Sequence, residues 1–123
     1  MRKLAAGFIG ALFICVLGAH AFAATETVTG KVIDLACYGQ DKANTENEHK
    51  GKGMICAQAC AREGFAVGLL TADGKVYRVT GGLASDNNAK LVPQMARRVT
   101  ITGEVSEESG NLIIVANDLK MVE

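Results

Sequence analysis

The residues best suited to chemistry are three cysteines and one histidine, concentrated in one stretch of the chain. Cys56 and Cys60 are four positions apart, so a helix would place both sulfur atoms on one face. Cys37 lies at the entrance of the same stretch and His49 lies inside it. Three thiolates and an imidazole form a tetrahedral ligand set that suits Zn(II), and the soft sulfur atoms equally suit Cu(I). The sequence therefore predicts that Cys37, His49, Cys56 and Cys60 bind a copper or zinc ion.

Two other interpretations of the cysteines stay open. In an oxidising compartment most cysteines form disulfides. A bridge from Cys37 to Cys56 or Cys60 would stabilise a small core by roughly 2–4 kcal/mol. The protein would then be a disulfide-stapled barrel that binds a protein partner and performs no chemistry. Alternatively, the chain is a thiol–disulfide redox protein in which Cys56 attacks and Cys60 or Cys37 resolves.

The sequence lacks the motifs of common enzyme classes. It has no recognisable serine–histidine–acid set, no recognisable arrangement of paired carboxylates and no glycine-rich phosphate loop. We therefore expect that the protein is not an enzyme. Asp34 stands out as a lone acid in an otherwise apolar stretch. We expect it to cap or orient a neighbour in the cysteine segment, as a group that supports a metal ligand would.

The N-terminus has the three parts of a bacterial signal peptide. Two basic residues precede an apolar run over residues 4–17, and Ala21 and Ala23 supply the small-x-small ending that signal peptidase recognises. We predict that residues 1–23 are removed and that the protein is exported to the periplasm. It would have no membrane attachment after cleavage. The first cysteine of the chain would leave with the signal peptide.

The remaining residues, 24–123, suit a single domain with one modest core. The whole chain has a formal net charge of +0, and loss of the two basic residues of the signal peptide leaves about −2. Without a basic stripe, and with few aromatic residues, the domain is not expected to bind nucleic acid. The expected partners are the metal ion and, for a stapled barrel, another periplasmic protein.

The pattern of the domain is mostly β. A long bent strand comes first, and Ala72-Asp73-Gly74 marks the turn of a hairpin. Strict alternation of apolar and polar residues begins at Val99, and a second turn precedes the returning strand. Between the two hairpins, Pro93 limits residues 86–96 to a short helix. The predicted strands cover residues 25–38, 65–70, 75–80, 99–106 and 112–116.

This order of elements is typical of an OB-fold. We predict a mostly β fold, a small OB-fold-like five-stranded barrel with a short helix and a Cys/His-containing insertion between strands 1 and 2. The insertion, residues 38–64, is polar over 40–52 and alanine-rich over 54–63, where it predicts a helix that ends at Gly64. Long insertions in compact domains are usually functional or disordered.

The chain also resembles a group of small exported bacterial proteins, most of them without a characterised function. The likeness rests on a G-x-V-x-D-x-x-C-Y strand at residues 30–38, an H-x6-C-A-x-x-C-A element at 49–61, and the strand V-T-I-T-G-E-V at 99–105. It covers nearly the whole predicted domain. The resemblance implies an OB-like barrel and a shared site at the cysteines and the histidine, without naming a reaction.

Overall fold

The computed structural model of the protein describes residues 23–46 and 56–122. Five strands close into a barrel and a sixth strand extends the sheet, with a few short helices as connections. The mostly β, OB-like barrel predicted from the sequence is confirmed. The strands are β1 (Ala24–Asp34), β2 (Val67–Leu70), β3 (Val76–Thr80), β4 (Arg98–Glu108), β5 (Asn111–Val115) and β6 (Leu119–Met121).

Barrel closure depends on β1, which is long enough to pair with two strands. Residues 24–31 pair with β4 and residues 31–34 pair with β2, so Lys31 is shared by both ladders. The remaining order, β2–β3–β5–β4, completes the barrel. The β3–β5 pair is parallel, whereas the other pairs are antiparallel. A curved first strand that joins both parts of the sheet is the arrangement expected of an OB-fold.

The core fills the barrel because apolar side chains alternate along its strands. In β4, Val99, Ile101 and Val105 are buried, whereas Thr102 and Glu104 are exposed, as the sequence pattern predicted. Full burial of each such side chain stabilises the fold by roughly 1.5–3 kcal/mol. The largest fully buried apolar side chains are Ile33, Leu69, Leu83, Leu91, Met95, Ile101 and Ile114.

The end of β1 differs from the prediction. The first strand was expected to continue to Tyr38, but it ends at Asp34 and is followed by a short helix, α1 (Leu35–Gln40). The reason is helix capping: Asp34 Oδ1 accepts a hydrogen bond of 3.0 Å from the backbone N–H of Ala36. Cys37 therefore lies in a helix and not at the end of the strand.

The second half of the insertion is helical, as predicted. Helix α2 covers Cys56–Arg62, and Gly64 follows it with φ of +88°, a left-handed conformation that glycine adopts without steric cost. His49 and the start of the predicted helix lie outside the described residues.

The connection between β3 and β4 is a series of short helical turns. These are the 3₁₀ turn Gly81–Ala84, α3 (Ser85–Asn88) and the 3₁₀ turn Val92–Gln94. Helix α3 is irregular because Asp86 and Asn87 both have a φ of 52°. Asp and Asn tolerate this left-handed conformation better than most residues. Pro93 lies at the start of the last turn, a position where its missing N–H costs nothing.

Strand β6 is an addition that the sequence did not predict. Leu119–Met121 pairs antiparallel with Val99–Ile101 of β4. The predicted signal peptide, residues 1–23, falls outside the described residues except for Ala23 and stays a prediction. None of the helices in the described ranges has the length and apolar character of a membrane span.

Candidate metal centre

Three potential ligand atoms converge at the junction of β1, α1 and α2. A carboxylate oxygen of Asp34 and the Sγ atoms of Cys37 and Cys60 all lie within 4.8 Å of one another. Asp34 is buried, with 1% of its surface exposed, and both cysteines are half-buried. Neither cysteine forms a disulfide bond in this arrangement. The described part of the chain thus brings two of the predicted ligands together and adds an acid to them.

The path of the backbone explains the meeting of Asp34 and Cys37. Asp34 ends β1 and caps α1, so Cys37 follows three positions later, within the helix. The backbone N–H of Asp41 donates to the carbonyl of Cys37 at 3.0 Å, and the side-chain amide of Asn44 donates to the same carbonyl at 3.0 Å. These bonds fix the backbone of α1 at the position that carries the thiol.

Cys60 reaches the same place because α2 packs on β1. Ala57 and Ala61 are four positions apart and fully buried, so they form the face of α2 that contacts the core. The amide of Gln58 donates to the carbonyl of Val92 at 3.2 Å and ties the helix to the β3–β4 connection. The small alanine side chains let α2 lie close to the barrel, which brings Cys60 near the end of β1.

The C-terminal end of α2 is held by a buried asparagine. Asn88 is 3% exposed, and its amide nitrogen donates to the carbonyls of Ala61 at 2.8 Å and Phe65 at 3.0 Å. Ala61 lies in the last turn of α2, where its carbonyl also accepts from the backbone N–H of Gly64 at 3.0 Å, and Phe65 follows the helix. Asn88 therefore links the position of the cysteine-bearing helix to α3.

Replacing this asparagine should loosen α2. We expect Asn88→Ala to lower the free energy of unfolding by about 2 kcal/mol, because the hydrogen bonds from its buried amide to the carbonyls of Ala61 and Phe65 are lost. Asn87→Ala is the matched control, since its backbone has nearly the same φ, 52° against 60°, but its side chain is exposed. Urea unfolding of both variants measures the difference. Equal destabilisation would mean that backbone strain, and not the amide, explains the effect.

The electrostatic environment of Cys60 disfavours its thiolate. Burial raises the pKa of the thiol, and the neighbouring Asp34 carboxylate together with Cys37 and Cys56 adds to the rise, which takes the pKa from 9.0 to about 12. At neutral pH Cys60 is therefore protonated in the metal-free protein. A bound cation would reverse this effect, because its positive charge deprotonates a coordinating thiol.

The structure places the four predicted ligands differently relative to the group of Asp34, Cys37 and Cys60. Cys37 and Cys60 are members of the converging group. Cys56 is not one of its three members, although it lies one turn before Cys60 and close enough to raise the pKa of that thiol. His49 lies outside the described residues, so its role stays a prediction. Asp34 was expected to cap or orient a neighbour in the cysteine segment. Its side chain caps α1, a helix that was not predicted, and its place among the potential ligands was missed.

A signal for Asp34 was available in the sequence. Its separation from Cys37, three positions, is one turn of a helix, so any helix that begins at Asp34 brings the carboxylate and the thiol to the same side. The prediction that β1 continues to Tyr38 hid this relation. In an extended strand, residues three apart point to opposite faces.

Comparison of the chain with models of protein families, with curated proteins and with solved structures finds no match. Function is therefore inferred from the residues and geometry of this chain alone.

Proposed function

We propose that the protein is an exported, periplasmic metal-binding protein that holds one copper or zinc ion between the end of β1, α1 and α2. The observation that carries this proposal is the group of Asp34, Cys37 and Cys60, whose potential ligand atoms lie within 4.8 Å of one another. Two thiols and a carboxylate are a donor set that proteins use for Zn²⁺. In a tetrahedral site with Zn–S bonds of 2.3 Å, sulfur atoms are about 3.8 Å apart. The group therefore needs only a small contraction to bind an ion.

The charge of the group also supports a cation. Asp34 is buried, and each described ion pair joins a lysine to a different acid. A buried carboxylate without a cationic partner is costly, and a metal ion would provide the missing positive charge. The same ion would stabilise the thiolates of Cys37 and Cys60, and without it the Cys60 thiol is protonated at neutral pH.

Cys56 and His49 complete the proposed ligand set. Cys56 is half-buried and lies on the same face of α2 as Cys60, one turn earlier. His49 belongs to the segment that leads into α2. Four of these five groups are enough to fill a tetrahedral site, which then has no position for a substrate, as is typical of structural or carrier sites and not of catalytic ones. We therefore propose a role in carrying the ion or fixing the insertion, and no enzymatic activity.

The redox alternative gains one supporting observation and meets one opposing one. The Sγ atoms of Cys37 and Cys60 are close enough for a disulfide to form after a modest movement. However, the raised pKa of Cys60 opposes its expected role as the resolving thiol, because a resolving cysteine also reacts as the thiolate. The proposal with Cys56 as attacking thiol stays a prediction, as does a disulfide-stapled barrel that binds a protein partner.

Serine substitutions test the proposal. The purified wild-type protein should bind one zinc or copper(I) ion per chain in equilibrium dialysis, and Cys37→Ser and Cys60→Ser should each reduce the affinity at least tenfold, since each removes a ligand. Ala59→Ser is the matched control, because it adds the same hydroxyl to the preceding position of α2. Full binding in the Cys37→Ser, Cys60→Ser double variant would contradict the proposal.

A further inference from the structure

We infer that Asp34 is itself a ligand and that its carboxylate makes the site selective for the divalent ion Zn²⁺ over Cu(I). This inference rests on the proposed metal-binding function and narrows it to one class of ion. It also changes the role of Asp34, which was expected from the sequence to support a ligand and not to act as one.

The first observation in support is that the Asp34 carboxylate is buried. Its two oxygens have different surroundings: Oδ1 accepts from the backbone N–H of Ala36, whereas no N–H or O–H group among the described residues donates to the buried Oδ2. The donor beside the carboxylate is the thiol of Cys60, a weak hydrogen-bond donor. A buried carboxylate oxygen without an N–H or O–H donor costs more free energy than a buried neutral acceptor without one, because the charge of the carboxylate is removed from water as well. The carboxylate nevertheless faces two thiols, at a distance from which all three groups can contact one ion.

Helix capping alone does not explain this burial. Asp41 provides an internal comparison, since its Oδ1 accepts from the backbone N–H of Ala43 at 2.9 Å with the same two-residue spacing. Asp41 is exposed, so its second oxygen remains in water. The capping bond of Asp34 would be equally available to an exposed side chain. What distinguishes Asp34 is the aim of its carboxylate toward Cys37 and Cys60.

The chemistry of the donor atoms then selects the ion. A carboxylate oxygen is a hard ligand, which Zn²⁺ accepts together with thiolates, whereas Cu(I) prefers soft sulfur ligands. Charge favours the same ion. One carboxylate and two thiolates carry three negative charges, so Zn²⁺ leaves one uncompensated and Cu(I) leaves two. In a half-buried site the larger residual charge is costlier.

The test compares two metals in two aspartate variants. Asp34→Asn removes the charged ligand but keeps an oxygen that caps α1, since Asn is as good a cap as Asp. Asp41→Asn is the matched control, because it makes the same change at the exposed aspartate whose carboxylate also accepts from the backbone N–H two positions on. Zn²⁺ and Cu(I) affinities are measured by competition with chromophoric chelators. We expect Asp34→Asn to weaken Zn²⁺ binding at least tenfold and Cu(I) binding less than threefold, and Asp41→Asn to change neither.

The outcomes separate this inference from the proposed function. If the wild-type protein binds neither metal, the proposed function itself fails. If it binds zinc and Asp34→Asn binds zinc equally well, Asp34 is not a ligand and the inference is overturned. Equal loss of both metals would also overturn it, because a residue that only positions the thiols affects both ions alike. Circular dichroism checks that the variant is folded, and Asp34→Ser, which also keeps a capping oxygen, replaces it if it is not.

Discussion

The Cys60 thiol should react with iodoacetamide at pH 8 about a thousandfold more slowly than an ordinary cysteine. Alkylation proceeds through the thiolate. Because the pKa of Cys60 is raised from 9.0 to about 12, its thiolate fraction at pH 8 is about a thousandfold smaller than that of an ordinary cysteine. The largest cause is burial, followed by the Asp34 carboxylate, and both persist when other cysteines are removed. The effect is therefore measurable in a chain in which Cys60 is the single cysteine.

Mass spectrometry of a variant with all other cysteines replaced by serine follows this reaction over time. The same variant in concentrated urea is the control, because unfolding exposes the thiol and returns its pKa to the ordinary value. Reaction should accelerate strongly on unfolding, and in the folded protein it should accelerate with pH beyond pH 10. Equal rates in the folded and unfolded states at pH 8 would show that the site does not suppress the thiolate.

Zinc affinity should fall about a hundredfold when the pH is lowered from 8 to 7. Cys37 and Cys60 must each release a proton before they bind the ion, because the thiolate is the ligand. Thiols with pKa values of about 8.5 or above are mostly protonated in this range, so each cysteine ligand contributes about a tenfold change per pH unit. The slope of the logarithm of zinc affinity against pH therefore equals the number of thiolate ligands that lose a proton on binding.

Competition titrations at several pH values measure this slope. Cys60→Ser should reduce it by one proton, whereas Ala59→Ser should leave it unchanged. Cys56→Ser decides whether Cys56 is a third thiolate ligand, since removal of a ligand reduces the slope and removal of a bystander does not. A wild-type slope of fewer than two protons would contradict binding through both Cys37 and Cys60.

The barrel could be predicted from the sequence because its signals are local and repeated. In β4, alternation from Val99 to Val105 marks one buried face, and Ala72-Asp73-Gly74 marks a turn between two strands. Strand β6 gave no such signal, since Leu119–Met121 is three residues long and depends on pairing with β4. A strand of this length is specified by tertiary contacts and not by its own pattern.

The candidate site could be predicted only in part, for a related reason. The i, i+4 spacing of Cys56 and Cys60 identified a helix and a shared face. The convergence of Cys60 with Cys37 depends instead on how α2 packs against β1, a long-range contact that no local pattern encodes. Asp34 was misjudged because the apolar run around it favoured a continued strand, whereas its capping bond to Ala36 begins a helix.

Native mass spectrometry of the protein incubated with one equivalent of Zn²⁺, with reactive thiols counted in parallel, tests the central claim most directly. We expect a mass excess of one zinc ion per chain, protection of Cys37 from alkylation relative to the metal-free protein, and release of the thiols of Cys37 and Cys60 when the protein is denatured in acid. A chain without bound metal, two hydrogens lighter than the reduced protein and with one reactive thiol, would contradict the claim. It would show that these cysteines form a disulfide staple and not a metal centre.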